Sequence, residues 1–169
     1  EALSYASINH PNIVKLLDFD CDHNELCMIL EFVPGDHLRQ FLRDRGQCHP
    51  LFVIEVITQI AQGLAAAHDK STVHRDLKPE NIILSPTTHG ARDFRVKLLD
   101  FGIAKNLDAD ERHTQEGSVC GTPSYMSPEQ ARGHDIDCRS DLYSLGVLMF
   151  EMLANRLPYT GESRKEVMQ

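Results

Sequence analysis

His74-Arg75-Asp76-Leu77-Lys78-Pro79-Glu80-Asn81, with Asp100-Phe101-Gly102 further along, is the part of the sequence that decides the reading. The first stretch sets an aspartate and an asparagine on one short loop. The second adds an aspartate on a loop that ends in glycine. Three oxygen-bearing side chains that can converge suit a hard cation such as Mg²⁺, which takes few protein ligands and relies on substrate phosphates for the rest.

The order His-Arg-Asp, then Asn, then Asp-Phe-Gly is the protein-kinase signature. The chain resembles a eukaryotic-type serine/threonine protein kinase, and its activation segment resembles the bacterial branch of that family. The resemblance covers essentially the whole chain. It implies an α+β, protein-kinase-like fold: a partial small lobe of antiparallel strands plus one helix, and most of a mainly helical large lobe. Residues 1–33 correspond to the remnant of the small lobe and the hinge, and residues 34–169 to a large lobe truncated at its C-terminal end. A kinase domain carries a glycine-rich loop and a strand lysine before this region. No G-x-G-x-x-G occurs in the sequence, so the isolated chain is expected to be inactive.

The resemblance also assigns roles. Asp76 is the expected catalytic base, and Lys78 the contact to the transferring phosphate that marks serine/threonine specificity. Asn81 and Asp100 are the expected Mg²⁺ ligands. Thr122 would hydrogen-bond around Asp76, although it also reads as an ordinary residue before Pro123. The cofactors implied are ATP and Mg²⁺. Nucleotide binding falls to Leu30 as gatekeeper, Glu31 to Val33 as hinge, Ile83 beneath the adenine, and to Lys78, Glu80, Asn81 and Asp100. Glu1 aligns with the helix glutamate that pairs with the strand lysine. Tyr5, Leu16, His74 and Phe101 fall where the family stacks a spine of side chains. Gly121 to Glu129 resembles a substrate-docking segment, and Glu129 would pair with an arginine lying outside the chain. Arg75 could pair with a phosphate on the activation loop, with Thr114 and Ser118 as candidate sites. Asp141 would tie the central helix to the catalytic-loop backbone, and as an acid in a first helical turn it also suits the helix dipole.

Two other readings remain. A pseudokinase or scaffold would bind nucleotide or partners without catalysis, against which Asp76, Asn81 and Asp100 all stand. A small-molecule phosphotransferase shares the catalytic loop but lacks the Lys78-Pro79 pair and the Gly-Thr-Pro…Pro-Glu segment. The substrates implied are proteins with serine or threonine acceptors.

Composition mainly excludes. The formal charge is −8, with 41% hydrophobic residues, and no basic stripe suggests nucleic-acid binding. Five cysteines form no C-x-x-C pair, which argues for a reducing compartment and against a disulfide framework or zinc site. A cytoplasmic location is expected, with membrane anchoring left to segments outside this chain. No apolar run is expected to reach the roughly 20 residues that span a bilayer.

Patterning predicts the elements. Residues 1–8 read as a helix stopped by Pro11, because the residue before proline is pushed out of the α region. Residues 13–17 and 26–33 read as an antiparallel strand pair around a turn at 20–24. A short helix carries Leu38, Phe41 and Leu42 on one face. From Pro50 to about His68, Val53, Ile57, Ile60, Leu64 and Ala67 recur at helical spacing. Residues 82–84 and 96–99 read as strands joined by a surface insertion. Residues 141–153 read as a helix apolar on nearly every side, which belongs in a core.

Overall fold

The computed structural model describes residues 5–22, 25–87, 93–101 and 123–159. In chain order they form β1 (Leu16–Asp22), β2 (Glu25–Leu30), β3 (Asp36–His37), α1 (Leu38–Arg45), α2 (Pro50–His68), β4 (Ile82–Pro86), β5 (Phe94–Leu98), α3 (Pro128–Arg132) and α4 (Cys138–Ala154). Single 3₁₀ turns cover Pro79–Asn81 and Pro123–Tyr125. Two antiparallel sheets result, β1-β2 and β3-β4-β5, beside the helices. The architecture is the expected α+β.

The first strand lies later than the pattern predicts. It starts at Leu16 and pairs through Asp22, opposite Glu25, so the segment expected to turn carries the ladder. Ile13 and Val14 are fully buried instead. Ile13 forms a parallel bridge with Leu98, and Val14 N–H donates to the Leu98 carbonyl at 2.9 Å. Their apolar character serves a tertiary contact rather than a local hairpin. The second strand ends at Leu30, which leaves Glu31 to Val33 outside regular structure.

The expected short helix is α1, and Gly46 at φ +70° ends it. Gly35 precedes it at φ +132°, with its Cα so placed that a Cβ would lie 2.3 Å from the Leu84 carbonyl oxygen. Only glycine allows the β3 and β4 backbones to approach this closely.

The long helix α2 begins on Pro50, whose missing N–H costs nothing in a first turn, and the His49 ring accepts the Leu51 N–H. Val53, Val56, Ile60, Leu64 and Ala67 are buried along one stripe, while Ile57 is only partly buried against it. By length and composition α2 could cross a membrane, contrary to the expectation that no apolar run comes close. Its buried stripe lies in the same core as Leu98 of β5 and Leu148 and Met152 of α4.

Strands β4 and β5 pair from Ile82↔Leu98 to Pro86↔Phe94, so the ladder reaches further toward the hairpin tip than predicted; residues 88–92 lie outside the described residues. α4 starts three residues early, because the Asp137 carboxylate caps it by accepting the Arg139 N–H at 2.8 Å. It is not buried all round. Leu142, Met149 and Phe150 are exposed, while Ser140, Asp141, Ser144 and Glu151 are buried. The polar residues of this helix face inward because each has a partner there, described below.

Candidate active site

The loop between α2 and β4 carries the candidate catalytic residues, and its backbone is held from two sides, by α3 and α4. Arg75 sits at φ +65°, a conformation that costs a non-glycine residue roughly 1–2 kcal/mol. The Asp141 carboxylate compensates by accepting the His74 N–H at 2.8 Å and the Arg75 N–H at 2.9 Å. The Gln130 side chain donates to the Arg75 carbonyl at 2.8 Å. Gln130 is itself fixed, closing a capping box with Ser127 at the start of α3. Asp141 is 1% exposed, and its Oδ2 also lies 2.7 Å from His68 Nε2 at the end of α2. One carboxylate thus joins α2, the loop and α4. Hydrogen bonds to a charged acceptor are worth roughly 1.5–3 kcal/mol, enough to hold a left-handed arginine.

His74 is fully buried, and burial pulls its pKa below the usual histidine value. It is therefore a neutral packing ring. Phe101 packs on it, rings tilted by 37°, at 4.5 Å between centroids, and Tyr5 packs on Phe101, tilted by 38°, at 5.2 Å. The Tyr5 hydroxyl donates to the Val14 carbonyl at 2.7 Å. Leu16 packs partly buried against the same core, so the four residues singled out as a spine share it.

The pinned backbone presents three side chains together. Lys78 Nζ lies 2.9 Å from Asp76 Oδ2. Asn81 Nδ2 donates to the Asp76 carbonyl at 2.9 Å and to Asp76 Oδ2 at 3.3 Å. A planar amide that spends its nitrogen on Asp76 turns its carbonyl oxygen Oδ1 the other way. The Asn81 backbone carbonyl accepts the Leu99 N–H at 2.9 Å, which brings the residue next to Asp100 onto the same turn. Asp100 is exposed at φ +51°, while its neighbour Phe101 is buried. Asn81 and Asp100 therefore stand on adjoining backbone and offer two hard oxygen donors. Among the described residues no group of three or more His, Cys, Asp or Glu could hold a metal. Mg²⁺ carried with nucleotide phosphates needs only one or two protein oxygens, so these residues fit it.

The hinge candidates have other bonds as well. Glu31 N–H donates to the Lys15 carbonyl at 2.9 Å, and its carboxylate accepts the Lys15 N–H at 3.0 Å and pairs with Lys97 Nζ. Burial alone would raise the Glu31 pKa, but these donors outweigh it and hold the carboxyl below the usual range. Leu30 packs partly buried against the core. Ile83 is buried outside the main cluster formed by Ile82 and Leu84, as strand alternation requires. Val33 is partly buried.

Glu129, expected to pair with an arginine outside the chain, accepts a 2.5 Å hydrogen bond from Ser140 Oγ. That bond is the leading cause of its lowered pKa. Glu1, Gly102, Thr114, Ser118 and Thr122 lie outside the described residues. Arg39 was missed entirely by sequence reasoning. Its Nε lies 2.8 Å from Glu80 Oε1, its Nη1 2.8 Å from Glu151 Oε1 and its Nη2 2.6 Å from the Tyr125 hydroxyl. The Tyr125 hydroxyl donates in turn to Glu151 Oε2. A glutamate inside the apolar run of α4 was the available signal, because a buried charge demands a partner.

A small cleft opens beside the loop, lined by Asp76, Lys78, Tyr125, Met126 and Gln130 among others. Its walls combine the candidate base and lysine with the Tyr125–Met126 segment.

The protein kinase domain profile matches residues 1–169. The chain is 44% identical over 163 residues to the serine/threonine-protein kinase pkn2 of Myxococcus xanthus, covering 95% of this chain and 19% of that protein. It is 38% identical over 163 residues to PrkC of Bacillus subtilis, covering 96% and 24%. It is 40% identical over 168 residues to PknB of Mycobacterium tuberculosis, covering 96% and 26%. The chain thus spans less than a third of the length of these curated relatives. With its whole length matched, and with the loop, Asp141 and the Phe101 contacts arranged as described, this chain belongs to the protein kinase domain family.

Proposed function

We propose that the protein containing this chain transfers the γ-phosphoryl group of ATP to serine or threonine hydroxyls of other proteins. The observation that carries the reading is the Asp76–Lys78–Asn81 cluster on a backbone locked by Asp141. Phosphoryl transfer asks the protein mainly for positioning and charge neutralisation, and this cluster supplies both. Asp76 orients the acceptor hydroxyl and takes its proton. Lys78, 2.9 Å from Asp76, sits where one ammonium can serve the carboxylate and the moving phosphoryl together. Asn81 and Asp100 would hold the metal. Bound Mg²⁺ would neutralise charge on the phosphates. Leu30, Glu31, Val33 and Ile83 would receive the adenine, and Glu80 would join them in holding the nucleotide. In this reading residues 1–33 belong to the small lobe and hinge and residues 34–169 to the large lobe, and the reaction runs in the cytoplasm. The names of the bacterial relatives support serine and threonine as acceptors.

The test uses the full-length protein with Mg-ATP and a protein acceptor, followed by phosphoamino-acid analysis. Phosphoserine or phosphothreonine is expected, and no transfer to protein would overturn the reading. Replacing Asp100 with alanine should weaken Mg-ATP binding by at least the roughly 10- to 100-fold that loss of a ligand's supporting partner costs. Titration of nucleotide at fixed Mg²⁺ measures this, and unchanged affinity would remove Asp100 from the metal site.

A further inference from the structure

The Arg39 guanidinium is committed to three elements at once. Nε reaches Glu80 in the catalytic-loop turn, Nη1 reaches Glu151 on α4, and Nη2 reaches Tyr125 in the 3₁₀ turn before α3. The Arg39 and Glu151 side chains are only 27% and 10% exposed, so water competes weakly for their bond, while Glu80 is 42% exposed. Tyr125 is 3% exposed, and its hydroxyl accepts from Arg39 while donating to Glu151. Its carbonyl accepts Ser144 Oγ at 2.7 Å. Tyr125 also lines the cleft that holds Asp76 and Lys78. The wall of that cleft is therefore placed from behind by α1, whose Arg39 also holds Glu80 in the turn that carries Asn81.

We propose that Arg39 is a positioning residue for phosphoryl transfer, setting the Tyr125–Met126 wall against Asp76 and Lys78 so that the cleft receives an acceptor polypeptide. This rests on the reading of that cleft as the catalytic site. A planar fork with separated donors suits three acceptors on three elements, whereas a lysine keeps the charge but offers a single nitrogen. Two of the three bonds end on the cleft wall and on the helix behind it, so the acceptor KM should change more than the ATP KM, which only the bond to Glu80 can reach. Small misplacements of such a wall cost large factors in rate.

The test is steady-state kinetics of the full-length protein, wild type beside Arg39→Lys, Tyr125→Phe and the double variant, with KM measured separately for ATP and for an acceptor protein. Arg39→Lys should raise the acceptor KM about tenfold and leave the ATP KM within about twofold. Tyr125→Phe removes one hydroxyl from the same path and should shift the acceptor KM in the same direction. The double variant should be no worse than the more affected single one, because residues acting through one path are not additive. Lysine fully restoring wild-type kinetics would mean that charge balance alone matters, and would overturn the proposal. So would equal changes in both KM values, or additive effects. Where Arg39→Lys does not fold, Tyr125→Phe decides alone: an unchanged acceptor KM overturns the proposal, and a selective rise supports it. A wild type that transfers no phosphoryl group would instead refute the kinase reading itself, so the two failures are distinguishable.

Discussion

Asparagine in place of Asp76 should lower turnover of the full-length protein by about 10²- to 10⁴-fold while ATP binds with near wild-type affinity. The substitution is isosteric. Asn81 Nδ2 can still donate to the Asp76 carbonyl, 2.9 Å away, so the loop keeps its shape. What disappears is the carboxylate that receives the acceptor proton, together with the charge facing Lys78. Because the loss belongs to the chemical step, it should appear in single-turnover rates at saturating substrate. Turnover near wild type would show that Asp76 is not the base, and lost nucleotide affinity would show that the change had disturbed the site instead.

The second large effect concerns Asp141. Its carboxylate is buried and satisfies two backbone N–H groups and one histidine. Alanine would leave those donors without their acceptor in a dry environment, at a cost of roughly 3–5 kcal/mol. Chemical denaturation should reveal the loss. Activity should fall as well, because the two amide bonds that offset the positive φ of Arg75 are lost, and Asp76 follows it directly. A variant with wild-type stability and turnover would contradict the description of Asp141 as the clamp of this loop.

The sequence made some features plain and hid others, for physical reasons. The catalytic loop was legible because its chemistry needs fixed spacing along one short segment, and Asp76, Lys78 and Asn81 do meet. α2 was legible because five apolar residues at helical spacing fill one stripe. Asp141 was anticipated as a tie to the loop, and its bonds to the His74 and Arg75 amides match that expectation. β1 was misplaced because the polar run from Asp20 to Asn24 reads as a turn, whereas Ile13 and Val14 resemble a strand while reaching Leu98 far along the chain. α4 was judged core on every side because hydropathy is blind to partners. Ser144 and Glu151 are buried through specific hydrogen bonds, and Leu142 and Met149 are left outside. Arg39 was invisible because its three acceptors lie 41, 86 and 112 positions away. No local pattern encodes such a meeting.

The clamp on the loop also fixes an order of events during folding. The Arg75 amide is secured by a residue 66 positions further along the chain. Contacts of such separation must await closure of the intervening loop, which makes them entropically late. During synthesis at roughly 5–20 residues per second, the loop is made seconds before its clamp. In refolding followed by pulsed hydrogen exchange, the Arg75 amide should gain protection together with α4 and not with α2. A growing chain would then hold the candidate residues Asp76, Lys78 and Asn81 for several seconds without the backbone shape that brings them together, and the proposed reaction would begin only once the domain has closed upon itself.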